Sequence, residues 1–172
     1  MSEPIEEEQD SPIEIAIAGE LGEDNADLYE KILAVPENEE CTFYFDSPGG
    51  SSYAATALVT LIRLRKLKAT GIVIGECSSA AIWPFAACQK RFVSPWSVLL
   101  FHPMRWQSEE NIGFIEANEW VRHYKHLHEE MDSLLARLFG VEEDLIQKWS
   151  KANRFVTGPE LAEAGLAELI KV

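Results

Sequence analysis

The segment Phe43-Tyr44-Phe45-Asp46-Ser47-Pro48-Gly49-Gly50 is the first of three apolar stretches that decide how this chain folds. The second, residues 71–75, runs into Glu76-Cys77-Ser78-Ser79-Ala80-Ala81, and the third, residues 97–101, ends at His102. A glycine turn that can expose backbone N–H donors, a serine at a strand-to-helix corner and a histidine at a strand end are the components of a serine hydrolase. Their order along the chain, rather than any one of them, carries this prediction.

Strands and helices alternate around these three stretches. The spacing of apolar residues predicts strands over 13–19, 41–46, 71–75, 91–93 and 97–101, and helices over 24–33, 51–67 and 78–88. Such alternation is typical of a largely parallel sheet with crossover helices, so the predicted fold class is α/β. We expect residues 1–11 to form a disordered acidic tail and residues 12–172 to form a single domain.

The C-terminal part of the chain has a different pattern. One long helix is predicted over 109–139, ended by Gly140, followed by short helices over 142–151 and 159–164 and a final strand over 166–172. Apolar residues recur along the long helix at spacings of four and three: Trp120, Tyr124, Leu127, Met131, Leu134 and Leu138. Because such a stripe needs a continuous apolar partner, we predict a homo-oligomer in which the long helices pack between subunits.

Composition limits the partners that the protein can have. The chain has 172 residues and a formal net charge of −14. It contains no apolar run of the roughly 18 residues that a membrane helix needs. Phosphate binding requires a surplus of Lys and Arg, so we expect neither a nucleic acid nor a membrane as partner. The acidic N-terminus lacks a signal-peptide core, which predicts a soluble, cytoplasmic protein.

The cysteines and histidines do not indicate a metal centre. Cys41, Cys77 and Cys88 lie in or beside apolar segments without metal-ligand spacing, so we expect three buried thiols. Three histidines lie close together on the predicted long helix: His123, His126 and His128. No pattern of carboxylates accompanies them, and we predict no metal and no cofactor.

Each candidate site residue also has a structural interpretation when it is taken alone. Residues 46–50 are a turn sequence, because proline fixes one torsion and glycine permits positive ones. Ser78 or Ser79 could cap a helix, and a lone histidine such as His102 is more often a hydrogen-bonded core residue. The functional interpretation places Ser79 at a helix N-terminus, where free N–H groups and the helix dipole stabilise an oxyanion.

Four motifs, in one order along the chain, resemble the ClpP-type serine peptidases of the wider ClpP/crotonase fold. They are the Asp-Ser-Pro-Gly-Gly turn at 46–50, the serine segment at 75–81, Lys-Arg-Phe at 90–92 before the strand that ends at His102, and the Asn-Arg-Phe segment at 153–166. The similarity covers about residues 13–170. It implies a repeated strand–helix spiral with a long handle helix, the element through which two rings associate in the family.

The resemblance also implies a role for five residues. Ser79 is the implied nucleophile and His102 the implied base; Gly50 and Ala80 would form the oxyanion hole, and Asn153 would orient His102. Asn153 stands where the family usually carries Asp. Its amide oxygen can accept a hydrogen bond from an imidazole, but it has no negative charge with which to stabilise the imidazolium. The implied function is a serine endopeptidase that hydrolyses peptide or unfolded-protein substrates through a Ser-His-Asn triad.

Other functions compete with this one. The chain shows no counterpart of the apolar first helix and axial loops with which the family docks a Clp ATPase, so activity without a tightly coupled ATPase is expected. A catalytically silent scaffold or partner subunit of a ring is the main alternative, favoured by Asn153. A crotonase-type acyl-CoA enzyme would use carboxylates instead of Ser79 and His102. A Ser/Lys peptidase would need a lysine base, and no lysine is singled out.

Overall fold

The computed structural model describes residues 12–22, 25–106 and 111–172. The predicted tail over 1–11 lies outside the described residues, and the single domain over 12–172 stays a prediction. The strands are β1 (Ile13–Leu21), β2 (Glu40–Gly50), β3 (Lys68–Cys77), β4 (Lys90–Val93), β5 (Val98–Phe101), β6 (Arg154–Thr157) and β7 (Glu168–Leu169). The helices are α1 (Ala26–Ala34), α2 (Ser52–Leu64), α3 (Ile82–Ala87), α4 (Phe114–Phe139), α5 (Glu143–Lys151) and α6 (Gly158–Glu163).

The strands form a seven-stranded sheet whose main path runs β1-β2-β3-β4-β7 with parallel neighbours. Strand β5 pairs with the end of β3 and lies antiparallel to β6. The predicted α/β class and the largely parallel sheet are therefore confirmed. Parallel strands need crossover connections, and α1, α2 and α3 supply them because each of these helices lies between two apolar strands.

The core is built from alternate residues of the central strands. Phe43 and Phe45 of β2 are fully buried, and the ring of Phe45 meets Phe85 of α3 edge-on at a centroid distance of 5.5 Å. The three cysteines are free and buried, as predicted. Burial raises the pKa of Cys41 to about 11, so this thiol stays protonated at neutral pH.

Strand β2 is longer than predicted, because the expected turn at 46–50 is part of it. Its last residues pair with the end of β1, where Glu20 lies opposite Gly49 and Leu21 opposite Gly50. Gly50 has a φ of +136°, and a Cβ placed on it would lie 2.2 Å from the carbonyl oxygen of Leu21. Only glycine allows this approach. The paired ends of β1 and β2 therefore place Gly50 at the candidate active site.

Helix α4 begins at Phe114 rather than at residue 109, and residues 107–110 lie outside the described ones. It ends as predicted at Gly140, which has the left-handed φ of 74° that favours glycine. The C-terminal half of α4 buries Met131, Leu135 and Phe139, whereas the N-terminal half leaves Phe114 83% exposed. Of the predicted stripe, Met131 is buried and the other five residues are partly exposed.

Strand β6 is absent from the sequence-based prediction. Three of its four residues are exposed and Val156 lies in the core, and the strand pairs with β5 from Phe101 opposite Arg154 to Val98 opposite Thr157. Thr157 and Glu160 then form a capping box at the start of α6. Hydrogen bonds from Thr157 and Arg154 lower the pKa of Glu160 to about 2. The antiparallel pairing of β5 and β6 places Asn153 beside the end of β5.

Candidate active site

Ser79 lies just after β3, at the start of a 3-10 turn, Ser79–Ala81, that leads directly into α3. Residues 78–81 are termed the serine turn. Its φ of 55° is in the left-handed region, which is strained for any residue that carries a Cβ. The small residues around it allow the sharp turn, and the buried Ala80 and Ala81 fix the start of the helix. The turn leaves the side chain of Ser79 partly exposed at the edge of the sheet, as a nucleophile requires.

Ser78 has a structural role instead. Its side chain is buried, and its hydroxyl accepts a hydrogen bond from the Leu100 N–H of β5 at 3.1 Å. Its own N–H donates to the Ser47 carbonyl at 2.9 Å. Neither bond caps α3. Because Ser78 holds β5 against the turn, Ser79 is the serine of this pair whose hydroxyl is available for chemistry.

Two glycines face the serine turn in different ways. A Cβ on Gly49 would lie 2.7 Å from the Ser79 Cβ and 2.9 Å from the Ala80 nitrogen, so Gly49 is the residue packed on the turn. The Gly49 N–H donates to Ser47 Oγ at 3.2 Å and is occupied. Gly50 lines the same cavity as Ser79 and Ala80, so its N–H remains the candidate donor of this strand end. The close packing of Gly49 was not part of the sequence-based prediction.

His102 directly follows β5 and is half-buried. Its Nδ1 lies 2.7 Å from the carbonyl oxygen of Pro103. Because a carbonyl oxygen only accepts hydrogen bonds, Nδ1 must carry the proton, and the lone pair of the neutral ring lies on Nε2. Nε2 is the nitrogen that a base would use. Among the described residues, no hydrogen bond joins His102 to Ser79, although both line one cavity.

Asn153 is brought close to His102 by the register of β5 and β6. Phe101 lies opposite Arg154 in this antiparallel pair, so the next residues outward are His102 and Asn153. Asn153 is exposed, has a φ of 48° and donates its N–H to the Ser150 carbonyl at 3.0 Å. Within the described part of the chain, its side chain makes no hydrogen bond to His102. The two residues are neighbours in the backbone without being joined through their side chains.

The cavity beside Ser79 has a volume of about 610 Å³. It is lined by residues from β2, α2, the serine turn, the end of β5, α4 and α5. Ser79, Ala80, Gly50 and His102 all border it, so four of the five predicted site residues meet in one place. Such a concave site, with a few convergent polar groups, can hold a peptide segment against the serine.

A family model described as Clp protease matches residues 10–171. The chain belongs to the Clp protease family. Its α/β architecture agrees with the ClpP/crotonase fold expected for that family.

Two curated relatives of this Clp protease family member are both described as ATP-dependent Clp protease proteolytic subunits. ATP-dependent Clp protease proteolytic subunit 1 of Bifidobacterium longum is 27% identical over 136 residues, which is 76% of this chain and 57% of that protein. ATP-dependent Clp protease proteolytic subunit 2 of Treponema denticola is 31% identical over 169 residues, which is 91% of this chain and 80% of that protein. The chain thus spans little more than half the length of the first relative and most of the second.

Other residues of the cavity were missed by the sequence-based prediction. His128, Asp132 and Ser150 border it, and Ser150 Oγ donates to Asp132 Oδ1 at 3.3 Å. The sequence does carry one signal for them, because His128 and Asp132 are one helical turn apart beside the apolar stripe of α4. Their proximity to Ser79 depends on how α4 packs against α3 and α5, which no local pattern encodes.

Aromatic residues connect the segment after His102 to α4. The Trp106 ring stacks on Trp120 at 6.2 Å and on Tyr124 at 5.6 Å. The Tyr53 hydroxyl is hydrogen-bonded to His123 Nε2 at 2.7 Å, which joins α2 to the same cluster. Since Tyr53 and Tyr124 border the cavity, the cluster forms one of its walls in this Clp protease family member.

Metal-ligating clusters and membrane-spanning helices are both absent from the described residues. Over residues 12–22, 25–106 and 111–172, no group of three or more His, Cys, Asp or Glu side chains is placed to hold a metal ion. None of the helices in these same ranges combines the length and apolar character that crossing a membrane demands. Cytoplasmic location stays a prediction.

Proposed function

We propose that this chain is a serine endopeptidase of the Clp protease type. The observation that carries the proposal is the placement of a strained, partly exposed Ser79 and of His102 on one cavity. The family membership and the proteolytic names of the two relatives support the same reaction class. The substrate is a peptide or an unfolded protein, whose extended backbone can enter the cavity.

The proposed reaction uses the residues in the following way. His102 Nε2 accepts the proton of Ser79 Oγ as the oxygen attacks the peptide carbonyl carbon. The N–H groups of Gly50 and Ala80 stabilise the oxyanion that develops on the carbonyl oxygen. The C–N bond then breaks, and His102 returns the proton to the leaving amine. Water, activated by His102, hydrolyses the acyl-enzyme and restores Ser79.

Hydrolysis of short fluorogenic peptides by the purified chain, without nucleotide, tests this function. We expect turnover that a serine-directed inhibitor stops, because the proposed chemistry needs no metal and no tightly coupled ATPase. Absence of turnover in a folded, assembled protein would favour the silent scaffold instead. One observation favours that second function: the exposed Asn153 makes no hydrogen bond to His102 within the described residues.

Replacing Asn153 by aspartate is expected to raise peptidase activity. A carboxylate next to His102 would stabilise the imidazolium formed in the transition state, and a charge-assisted hydrogen bond is roughly twice as strong as a neutral one. We expect kcat to rise by up to about tenfold and the acid limb of the rate–pH profile to move to higher pH. The measurement is a rate–pH profile on one fluorogenic peptide.

Asn38→Asp is the matched control for Asn153→Asp. Asn38 is also an exposed asparagine with a positive φ, of 66°, so the variant changes the charge at similar backbone geometry but far along the chain. Its profile should match that of the wild type. Identical profiles for Asn153→Asp and the wild type would remove Asn153 from the catalytic machinery and leave the Pro103 carbonyl as the group that orients His102.

We further propose that the chain forms a homo-oligomer through α4. Phe114 and Ile115 at the start of this helix are 83% and 81% exposed, and Val121 is 58% exposed. Apolar side chains exposed together in this way are typical of an interaction surface. Sedimentation at micromolar concentration should give a mass several times that of one chain. The variant Phe114→Ser/Ile115→Ser should shift this mass downward, and a monomeric wild type would contradict the proposal.

A further inference from the structure

The cavity that contains Ser79 also holds a carboxylate, that of Asp132 on α4. Asp132 is half-buried, and it lies next in sequence to Met131, which is buried with Leu135 on the same helix. Trp83 of α3 is also buried and borders the cavity. The carboxylate therefore borders the same cavity as these apolar side chains and Ser79.

This carboxylate has no cationic partner among the described residues, although Arg105 borders the same cavity. In the ranges that the structure describes, Asp132 forms no ion pair with a lysine or arginine, and its hydrogen-bond partner is Ser150 Oγ. Lys151 is near in sequence to Ser150, but its Nζ donates to Gln147 Oε1 at 3.0 Å. Partial burial of a carboxylate without a neighbouring cation costs free energy, and a bound cation would offset that cost.

The electrostatic surroundings of Asp132 also leave its negative charge only partly stabilised. Burial raises the pKa of the Asp132 carboxyl above its usual value, with the charge of Glu143 acting in the same direction. The Ser150 hydrogen bond and the charges of His128 and Lys151 act in the opposite direction without cancelling the effect of burial. The protein itself thus stabilises the charged form of Asp132 incompletely.

We propose that Asp132 selects peptides with lysine or arginine at P1, the residue whose carbonyl Ser79 attacks. This inference rests on the proposed peptidase function. The apolar walls formed by Trp83, Met131 and Leu135 suit the methylene stem of such a side chain, and the Asp132 carboxylate suits its charged end. The net charge of −14 further attracts cationic peptides to the molecule.

Cleavage of a set of peptides that differ only at P1 tests the proposal. Peptides with lysine, arginine, leucine or glutamate at P1 are compared for the wild type and Asp132→Asn, which keeps the size and the acceptor for Ser150. We expect kcat/KM to be highest for lysine and arginine in the wild type. In Asp132→Asn the ratio of kcat/KM for lysine over leucine should fall about tenfold or more, because the charge-assisted interaction with the carboxylate is replaced by a neutral one.

Glu130→Gln is the matched control, since Glu130 is exposed on the same helix and the variant removes the same charge. Its P1 preference should equal that of the wild type. A wild type that prefers leucine, or a lysine-to-leucine ratio that Asp132→Asn leaves unchanged, would overturn the inference. An equal fall in Glu130→Gln would also overturn it, because the effect would then come from net charge alone.

Failure of the proposed function can be separated from failure of this inference. Calorimetry measures the binding of product peptides, with C-terminal lysine or leucine, to Ser79→Ala with and without Asp132→Asn. Preferential binding of the lysine product that Asp132→Asn abolishes supports the inference even if the wild type cleaves nothing. Equal binding of both products overturns it whatever the activity.

Discussion

Replacing Ser79 by alanine is expected to lower kcat on a fluorogenic peptide by at least about 10⁴-fold, and His102→Ala should lower it by a similar factor. The reason is that the two residues act as one unit: the hydroxyl is a weak nucleophile without a base, and the base has no role without the hydroxyl. Both side chains border the cavity, so neither variant disturbs a fully buried residue. Initial rates and thermal unfolding of each variant give the result.

The double variant Ser79→Ala/His102→Ala should be no slower than either single variant, because members of one catalytic unit are not additive. His126→Ala is the control for the histidine, since His126 is exposed on α4 and does not border the cavity. It should keep full activity. Independent, multiplicative losses in the double variant would show that Ser79 and His102 do not work together.

Replacing Gly49 by alanine is expected to have the second largest effect. The new Cβ would lie 2.6 Å from the Ser78 carbonyl oxygen, and it would be equally crowded by Ser79 and the Ala80 nitrogen. Each of these groups belongs to the serine turn, and Gly49 itself has a φ of +96°. Displacing the nucleophile by about 1 Å costs roughly 10²-fold in rate, so we expect a loss of at least that size.

Gly140→Ala separates crowding from backbone strain. Gly140 also has a positive φ, of +74°, but a Cβ there would meet no atom of the described residues within 4 Å. This variant should lose about 1–3 kcal/mol in the free energy of unfolding and keep its activity. Gly49→Ala should lose more in both urea denaturation and peptide hydrolysis. Wild-type activity in Gly49→Ala would mean that the glycine end of β2 does not support the serine turn.

Much of the fold could be predicted because the local patterns are strong. The apolar strands around Phe43 and Val73 and the helix after Ser51 follow from residue spacing, and Ser51 does cap α2 by accepting the Ala54 N–H at 3.3 Å. Strand β6 could not be predicted in this way. It has four residues and an exposed Phe155, and its strand character comes from pairing with β5.

Part of the candidate site could also be predicted from the sequence. Ser79 and His102 stand at the ends of recognisable strands, so their convergence follows from the order of a parallel sheet. Asp132 is one polar residue among many on α4, and only the packing of this helix against α3 and α5 brings it to the cavity. Asn153 was placed by resemblance alone, and the register of β5 and β6 brings it next to His102 without a side-chain hydrogen bond.

Labelling with a fluorophosphonate, followed by mass spectrometry of the modified peptide, tests the central claim most directly. Reaction with this probe requires an activated serine hydroxyl, and it does not depend on knowing the substrate. We predict one adduct, on Ser79, that Ser79→Ala and His102→Ala abolish and that Ser78→Ala retains. An adduct on another serine, equal labelling of Ser79→Ala and the wild type, or no adduct on the folded, assembled protein would contradict the account.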